Sequence, residues 1–170
     1  MLSKLYERSS KMTRIFVFSD SHGQLDKLTE LVPTLGADYL IHCGDFAHDL
    51  TGSNVYHVRG NCDPWSKAPS EILLTIENKK ILIVHGHRQH VKSGLLSLAY
   101  YAKQKQVDVV LFGHTHKPVA VEDDDLLLLN PGSISLPPPS QPASYLELTI
   151  DGDQMDFQFH YLEESTHNPE

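Results

Sequence analysis

Cysteine is nearly absent from this chain: Cys43 and Cys62 are the only two. Two thiols, each inside a polar turn that contains Gly or Asp, are too few for the disulfide framework of a small secreted domain. Long apolar runs are missing as well. No stretch approaches the roughly 20 residues needed to span a bilayer, and the opening residues MLSKLYERSSKM lack the apolar segment of a secretory signal. These absences predict a soluble, cytoplasmic protein with no membrane contact. Positive charge is also scarce: 14 Lys and Arg stand against 22 Asp and Glu, a net charge of -8 with neutral histidines. Such a balance leaves no broad basic face on which nucleic acid is gripped through counterion release, so nucleic acid is a disfavoured partner. An anionic substrate is not excluded, because bound cations reverse the local sign of a site.

What the chain does have is a 40% hydrophobic composition over 170 residues, enough for one continuous core. Residues 1–13 are polar and mixed in charge and read as an appendage; 14–162 read as the domain and 163–170 as a frayed tail. Within the domain, Ile15 to Phe18 reads as a buried strand and Leu25 to Leu35 as a helix. Tyr39 to Ile41 and Val55 to Val58 follow as strands. Glu71 to Ile76 and Lys80 to Val84 read as a hairpin, and Ser93 to Gln106 as a helix capped by Ser93. Val109 to Phe112 is a further strand. Two more hairpins follow: Val119 to Val121 with Leu126 to Leu129, the latter buried on both faces, and Tyr145 to Ile150 with Met155 to Tyr161, one face of which is buried. Strands alternating with helices predict βαβ units and a mainly parallel sheet.

Eleven histidines are many for this length, and their placement matters more than their number. Five strand-like runs are each followed by a short motif rich in metal-ligand types: Asp20-Ser21-His22-Gly23, Gly44-Asp45, Gly60-Asn61-Cys62-Asp63, His85-Gly86-His87 and Gly113-His114-Thr115-His116. Ligand sites in open α/β sheets gather beyond the carboxyl ends of strands, so these motifs are expected to converge on one cleft. Carboxylate, imidazole and amide oxygen together suit Mn, Fe or Zn better than Ca or Mg. Histidines one residue apart project to the same side of an extended segment, and pairs of this kind can serve two neighbouring ions with a carboxylate such as Asp45 between them.

The ordered motifs Asp-x-His, Gly-Asp, Gly-Asn, a lone His after a strand and Gly-His-x-His resemble those of the calcineurin-like metallophosphoesterases. The small bacterial and archaeal phosphodiesterases, with the related retromer subunit, are the most similar branch, matching Val58 to Asp63, Gly113 to Lys117 and Asn130 to Ser133. The resemblance implies two mixed β-sheets packed face to face with helices outside, a four-layer αββα sandwich. It places Asp20, His22 and His116 on one metal, Asn61, His85 and His114 on a second, and Asp45 on both. It implies hydrolysis of a small phosphoester by a hydroxide bridging two divalent ions, manganese first, with iron, nickel or zinc as other occupants. A catalytically weak interaction scaffold of the same fold is the alternative. Nothing in the sequence bears on oligomeric state.

One position departs from the wider family. Many of its phosphatases carry His directly after Gly-Asn, where this chain has Cys62, a poor substitute as a proton donor. His87 is then a candidate acid or phosphate contact, with Asn61 as the third catalytic candidate. The simpler readings also have their place. His42, inside an apolar run, reads as a satisfied core histidine; His48, His57, His90, His160 and His167 lack a partner motif and read as surface or supporting residues. Asp63 is expected to brace the Asn61 loop rather than bind metal.

Overall fold

The computed structural model describes residues 12–163. The expected appendage 1–13 and tail 163–170 therefore lie almost wholly outside the described residues. The chain folds as β1 (Thr13–Phe18), α1 (Leu25–Leu31), β2 (Tyr39–His42), β3 (Val55–His57), β4 (Glu71–Ile76), β5 (Lys79–Val84), α2 (Leu96–Gln104), β6 (Val109–Leu111), β7 (Pro118–Asp123), β8 (Leu126–Pro131), β9 (Ser144–Asp151) and β10 (Gln154–Tyr161), with short 3-10 turns between.

The strands form two five-stranded sheets, in the orders β10-β9-β1-β2-β3 and β4-β5-β6-β8-β7. Each has a parallel trio, β1-β2-β3 or β5-β6-β8, flanked by antiparallel partners. The single mainly parallel sheet expected from the βαβ spacing is thus two mixed sheets: the hairpins add their strands antiparallel to the edges of each trio. The period of two along each strand explains the layering. In β1, Ile15 and Val17 point into the apolar layer between the sheets, where they meet Ile81, Ile83, Val109, Leu111, Leu127 and Leu129. Phe16 and Phe18 point the other way and pack with Leu28 of α1. On the outer face of the second sheet, Leu98, Ala99 and Ala102 of α2 cover Leu82, Val110 and Leu128. This is the αββα sandwich, and β8 is buried along its whole length because its leucines serve two layers at once.

Several element boundaries differ from the sequence expectations. The first helix ends at Leu31, and Val32–Thr34 tighten into a 3-10 turn. Pro33 is the cause, since it has no N–H for the helical ladder and its ring crowds the preceding turn. Ser93 does not cap α2. It belongs to a 3-10 turn, Val91–Ser93, and Gly94 at φ 126 breaks the path, so the helix starts at Leu96 without a side-chain cap. β10 is an edge strand: Met155 and Phe159 are half-buried, but Phe157 and Tyr161 are exposed, so its alternation does not give a buried face. Cys43 and Cys62 are both free thiols. Among the described residues no helix is long and apolar enough to cross a membrane.

Truncating Leu129, fully buried between the sheets, tests this layering. Leu129→Ala is expected to cost about 2–5 kcal/mol in urea unfolding, whereas Leu96→Ala, at an exposed position, should stay within about 0.5 kcal/mol of the parent.

Candidate metal centre

Each parallel trio delivers its strand ends to the same rim. Asp20 and His22 follow β1, Asp45 follows β2, Asn61 follows β3, His85 follows β5, and His114 and His116 follow β6. Two groups of potential ligands result. Asp20, His22, Asp45 and His116 form one and Asp45, His85 and His114 the other, the atoms of each lying within 4.8 Å of one another. Asp45 belongs to both. Asn61 joins the second through its Oδ1, 3.0 Å from His85 Nε2. All the residues expected at the centre from sequence are brought together there.

The backbone is bent hard to achieve this. Asp20, His22, Asp45, His114 and His116 all have positive φ, between 47° and 72°, a region costly for residues with a Cβ and populated where the surroundings enforce it. Glycine makes two close approaches feasible. A Cβ on Gly60 would collide with the Asp45 carboxylate and sit 2.5 Å from its backbone nitrogen; one on Gly113 would strike Ser19 Oγ and lie 2.7 Å from Asp20 Oδ2.

Hydrogen bonds around the centre fix which atoms face inward. His85 Nδ1 lies 2.7 Å from the carbonyl of Cys43, and His116 Nδ1 lies 2.7 Å from that of Leu136. A carbonyl only accepts, so both Nδ1 atoms carry hydrogen and both Nε2 atoms are left to point at the centre. There they meet other acceptors. His116 Nε2 is 3.4 Å from His22 Nε2 and 3.3 Å from Asp20 Oδ1; His85 Nε2 is 3.3 Å from Asp45 Oδ2. Asp20 Oδ1 is buried and has no hydrogen-bond partner, while Oδ2 accepts from the Ser19 hydroxyl and the His114 N–H. Asp45 Oδ1 accepts from the Cys62 N–H at 2.8 Å. Lone pairs facing one another in a buried cluster require protons or cations among them. The donor set fits a divalent cation: hard carboxylate and amide oxygens with borderline imidazoles.

The titration behaviour has the same origin. Burial works to lower the His85 pKa, but the hydrogen bond to Asp45 and the charges of Asp20 and Asp45 outweigh it and raise it. Burial likewise pushes Asp45 up, yet His85 holds its carboxyl well below the usual range. Contact with Asp20 raises His116 despite partial burial. His114 goes the other way, to about 4, through burial and then the positive charges of His85 and Lys92.

The remaining candidates separate clearly. Asp63 braces the loops, its Oδ1 accepting from the Gly60 N–H at 2.6 Å and its Oδ2 from the Ala47 N–H at 2.9 Å. His87 sits beside the centre, its ring 5.3 Å from that of His85; its Nδ1 is buried without a partner, and burial followed by His85 lowers its pKa. Burial and the neighbouring Asp45 carboxylate push the Cys62 thiol up to about 11, so it stays protonated at neutral pH. His48, His57 and His160 bind Ser66, the Ala47 carbonyl and Glu147, His90 is exposed, and His167 lies outside the described residues.

Sequence reasoning missed the supporting residues. Ser133 and Ser135 donate to the Asp20 carbonyl, and Asn130 Nδ2 donates to the Gly113 carbonyl and to Thr115. The Asn-Pro-Gly-Ser stretch is thus a buried brace behind two ligand loops, a role that the short motif alone, an ordinary turn signal, does not reveal. Phe46 and Trp65 were missed too: Phe46 packs 5.6 Å from His22 and Trp65 stands edge-on to Phe46 at 6.0 Å, forming an aromatic wall.

His42 is the satisfied core histidine that its apolar setting predicts. The Gly44 N–H donates to Nδ1, Nε2–H donates to Ser21 Oγ, and the Ser21 hydroxyl passes its hydrogen to Asp49 Oδ2. This chain closes only with a neutral imidazole, and burial holds the His42 pKa at about 4.

The family model of the calcineurin-like phosphoesterase superfamily domain matches residues 13–153. The probable metallophosphoesterase YsnB of Bacillus subtilis is 35% identical over 151 residues, covering 86% of this chain and 89% of that protein. Phosphodiesterase YfcE of Escherichia coli K12 is 28% identical over 171 residues, covering 79% and 86%. Among solved structures, Vacuolar Protein Sorting 29 of Cryptosporidium parvum shares the fold with a TM-score of 0.76 at 22% identity, covering 90% of this chain and 93% of that one.

Because His42 is neutral when folded and ordinarily titrates at 6.5, the unfolded chain takes up a proton there that the folded chain refuses. Its contribution to stability is present above pH 6.5 and is lost as pH falls from there toward about 4. NMR titration is expected to find the His42 imidazole in its neutral form down to about pH 4; a midpoint near 6.5 would contradict the hydrogen-bonded chain.

Proposed function

The chain belongs to the calcineurin-like phosphoesterase superfamily, and on that premise we propose that it is a dinuclear metal-dependent hydrolase of small phosphate esters, phosphodiesters in particular. The observation that carries this reading is the pair of ligand groups sharing Asp45. Asp20, His22 and His116 would hold one ion, Asn61, His85 and His114 the other, and Asp45 both. Manganese is the first choice, with iron, nickel or zinc compatible with the same donors. Divalent ions held by these residues would supply a lowered pKa for water and positive charge against phosphate oxygens.

The chain's own residues do the rest. The Nδ1 bonds of His85 and His116 lock the rings so that no reorientation is needed on binding. The N–H of Cys62 and the Ser19 hydroxyl each occupy one carboxylate oxygen, which leaves Asp45 Oδ2 and Asp20 Oδ1 facing the centre. Asn61 is exposed and carries amide hydrogens that can meet a phosphate oxygen. His87, neutral and with its ring beside those of His85 and His114, is the candidate to orient the ester. Phosphoryl transfer proceeds through a transition state that needs positioning and charge more than covalent help, which suits a site built mainly of ligands.

Proton delivery to the leaving oxygen is the weak point of the site, because the residue after Asn61 is a thiol of high pKa. Esters with acidic leaving groups, which depart without a proton, are therefore the preferred substrates. The scaffold alternative, a fold shared with Vacuolar Protein Sorting 29, is disfavoured by the presence of a ligand-type side chain at all seven positions.

Manganese-loaded protein is expected to hydrolyse an aryl phosphodiester such as bis-para-nitrophenyl phosphate. His114→Ala should lower the rate at least about 10²-fold, as loss of several kcal/mol of charge stabilisation requires; equal rates in the two proteins would favour the scaffold. Cys62→His, which restores an imidazole donor, should raise kcat on an alkyl diester by about 10²-fold while changing the aryl diester rate little. Matching pH-rate profiles for this variant and the parent on the alkyl ester would remove Cys62 from the mechanism.

A further inference from the structure

A cavity of about 380 Å³ opens directly against the metal centre. His114 and His116 form one wall of it; Pro137, Pro138 and Pro139 form another, and Lys92 and Lys117 complete it. Its volume lies within the range of small-molecule pockets, roughly 300–1,000 Å³. From this arrangement we infer a second anion subsite, in which Lys92 and Lys117 receive a further phosphate carried by the ester whose first phosphate sits at the metal centre. The inference deepens the hydrolase reading and rests on it: it names the substrate class as small phosphoesters bearing a second phosphoryl group.

Charge carries the argument. The chain has a net charge of -8, yet no acidic residue lines this cavity. Arg14 is engaged by Glu147, and Lys103 by Asp123 and Asp124. Among the described residues, no hydrogen bond or ion pair engages the ammonium of Lys92 or Lys117. Both side chains are exposed and reach into solvent beside the cavity.

The rest of the wall narrows the chemistry. Proline has no N–H, so the Pro137 to Pro139 backbone donates nothing to an anion. The Leu136 carbonyl is taken by His116, and the Thr115 hydroxyl is held by Asn130 and the Lys117 N–H. Recognition therefore falls to two mobile point charges, the manner in which lysine binds phosphate. Two ammonium groups match a dianionic phosphate better than a singly charged carboxylate. Against the chain's net negative charge, the two lysines beside His114 and His116 favour an anion locally.

The test uses the manganese-loaded protein and isothermal titration with a nucleoside bisphosphate, phosphorylated at both ends of the ribose, against the corresponding monophosphate. The parent is expected to bind the bisphosphate about 10- to 100-fold more tightly, with the preference shrinking as salt rises. Lys92→Ala with Lys117→Ala should bind the two ligands alike, and Lys92→Arg with Lys117→Arg should keep the preference. No preference in the parent, or an unchanged preference in the double alanine variant, overturns the subsite. Aryl diester hydrolysis measured on the same samples separates the two readings. Turnover without bisphosphate preference removes the subsite alone; lysine-dependent preference without turnover removes the hydrolase reading and leaves the subsite as a binding site.

Discussion

Two buried carboxylates, Asp20 and Asp45, face the imidazoles of His22, His85 and His116 at 3.3 to 3.9 Å, and such a concentration of lone pairs in a protein interior needs positive charge within it. In water these groups would be solvated separately. Here they are held together by hydrogen bonds on the outer sides of both carboxylates and of two of the imidazoles. The Nδ1 atoms of His85 and His116, one oxygen of each carboxylate and the carbonyl of Asp20 are all engaged outward. What remains is a set of acceptors with a common focus. Protons on His85 and His116 can balance it, as their raised pKa values indicate, and divalent ions can do so more fully.

Holding that focus explains features that otherwise look costly. Five of the converging residues have positive φ, a strain sustained only because the strands beneath them are packed on both faces. Asp20 follows a strand whose alternate side chains are buried in two different layers, and His114 and His116 follow another of the same kind. The sandwich is thus the rigid base, and the loops at its rim are fixed to it by Asn130, Ser133, Ser135 and Asp63. Rigidity at the centre contrasts with the exposed Lys92 and Lys117 and the proline wall beyond it. The site divides into a preorganised part, held by hydrogen bonds, and an exposed rim, which on the proposed reading would meet the variable part of a ligand.

The fold was legible in the sequence to the extent that it follows from local pattern. Strand positions were readable because β-branched and leucine runs alternate or run continuously at a period of two, as in β1 and β8. Boundaries set by single residues were harder. Pro33 stops α1 although the apolar face of the pattern continues to Leu35, and Gly94 delays α2 although Ser93 is a sound capping residue by type. The exposure of Phe157 and Tyr161 could not be read from alternation, because β10 sits at an edge where no further layer covers it.

Sequence by itself determined the candidate ligand types, their order and their position after strands, since each motif is local and needs no distant partner to be recognised. Tertiary structure alone decided which atoms of Asp20, Asp45, His85 and His116 face the centre, because that choice depends on hydrogen bonds from distant parts of the chain, as from the His114 N–H to Asp20 Oδ2 and from His85 Nδ1 to the Cys43 carbonyl. It also decided that Lys92 and Lys117 share a cavity with His114 and His116. A lone lysine carries no motif, and its meaning lies in what the fold places beside it.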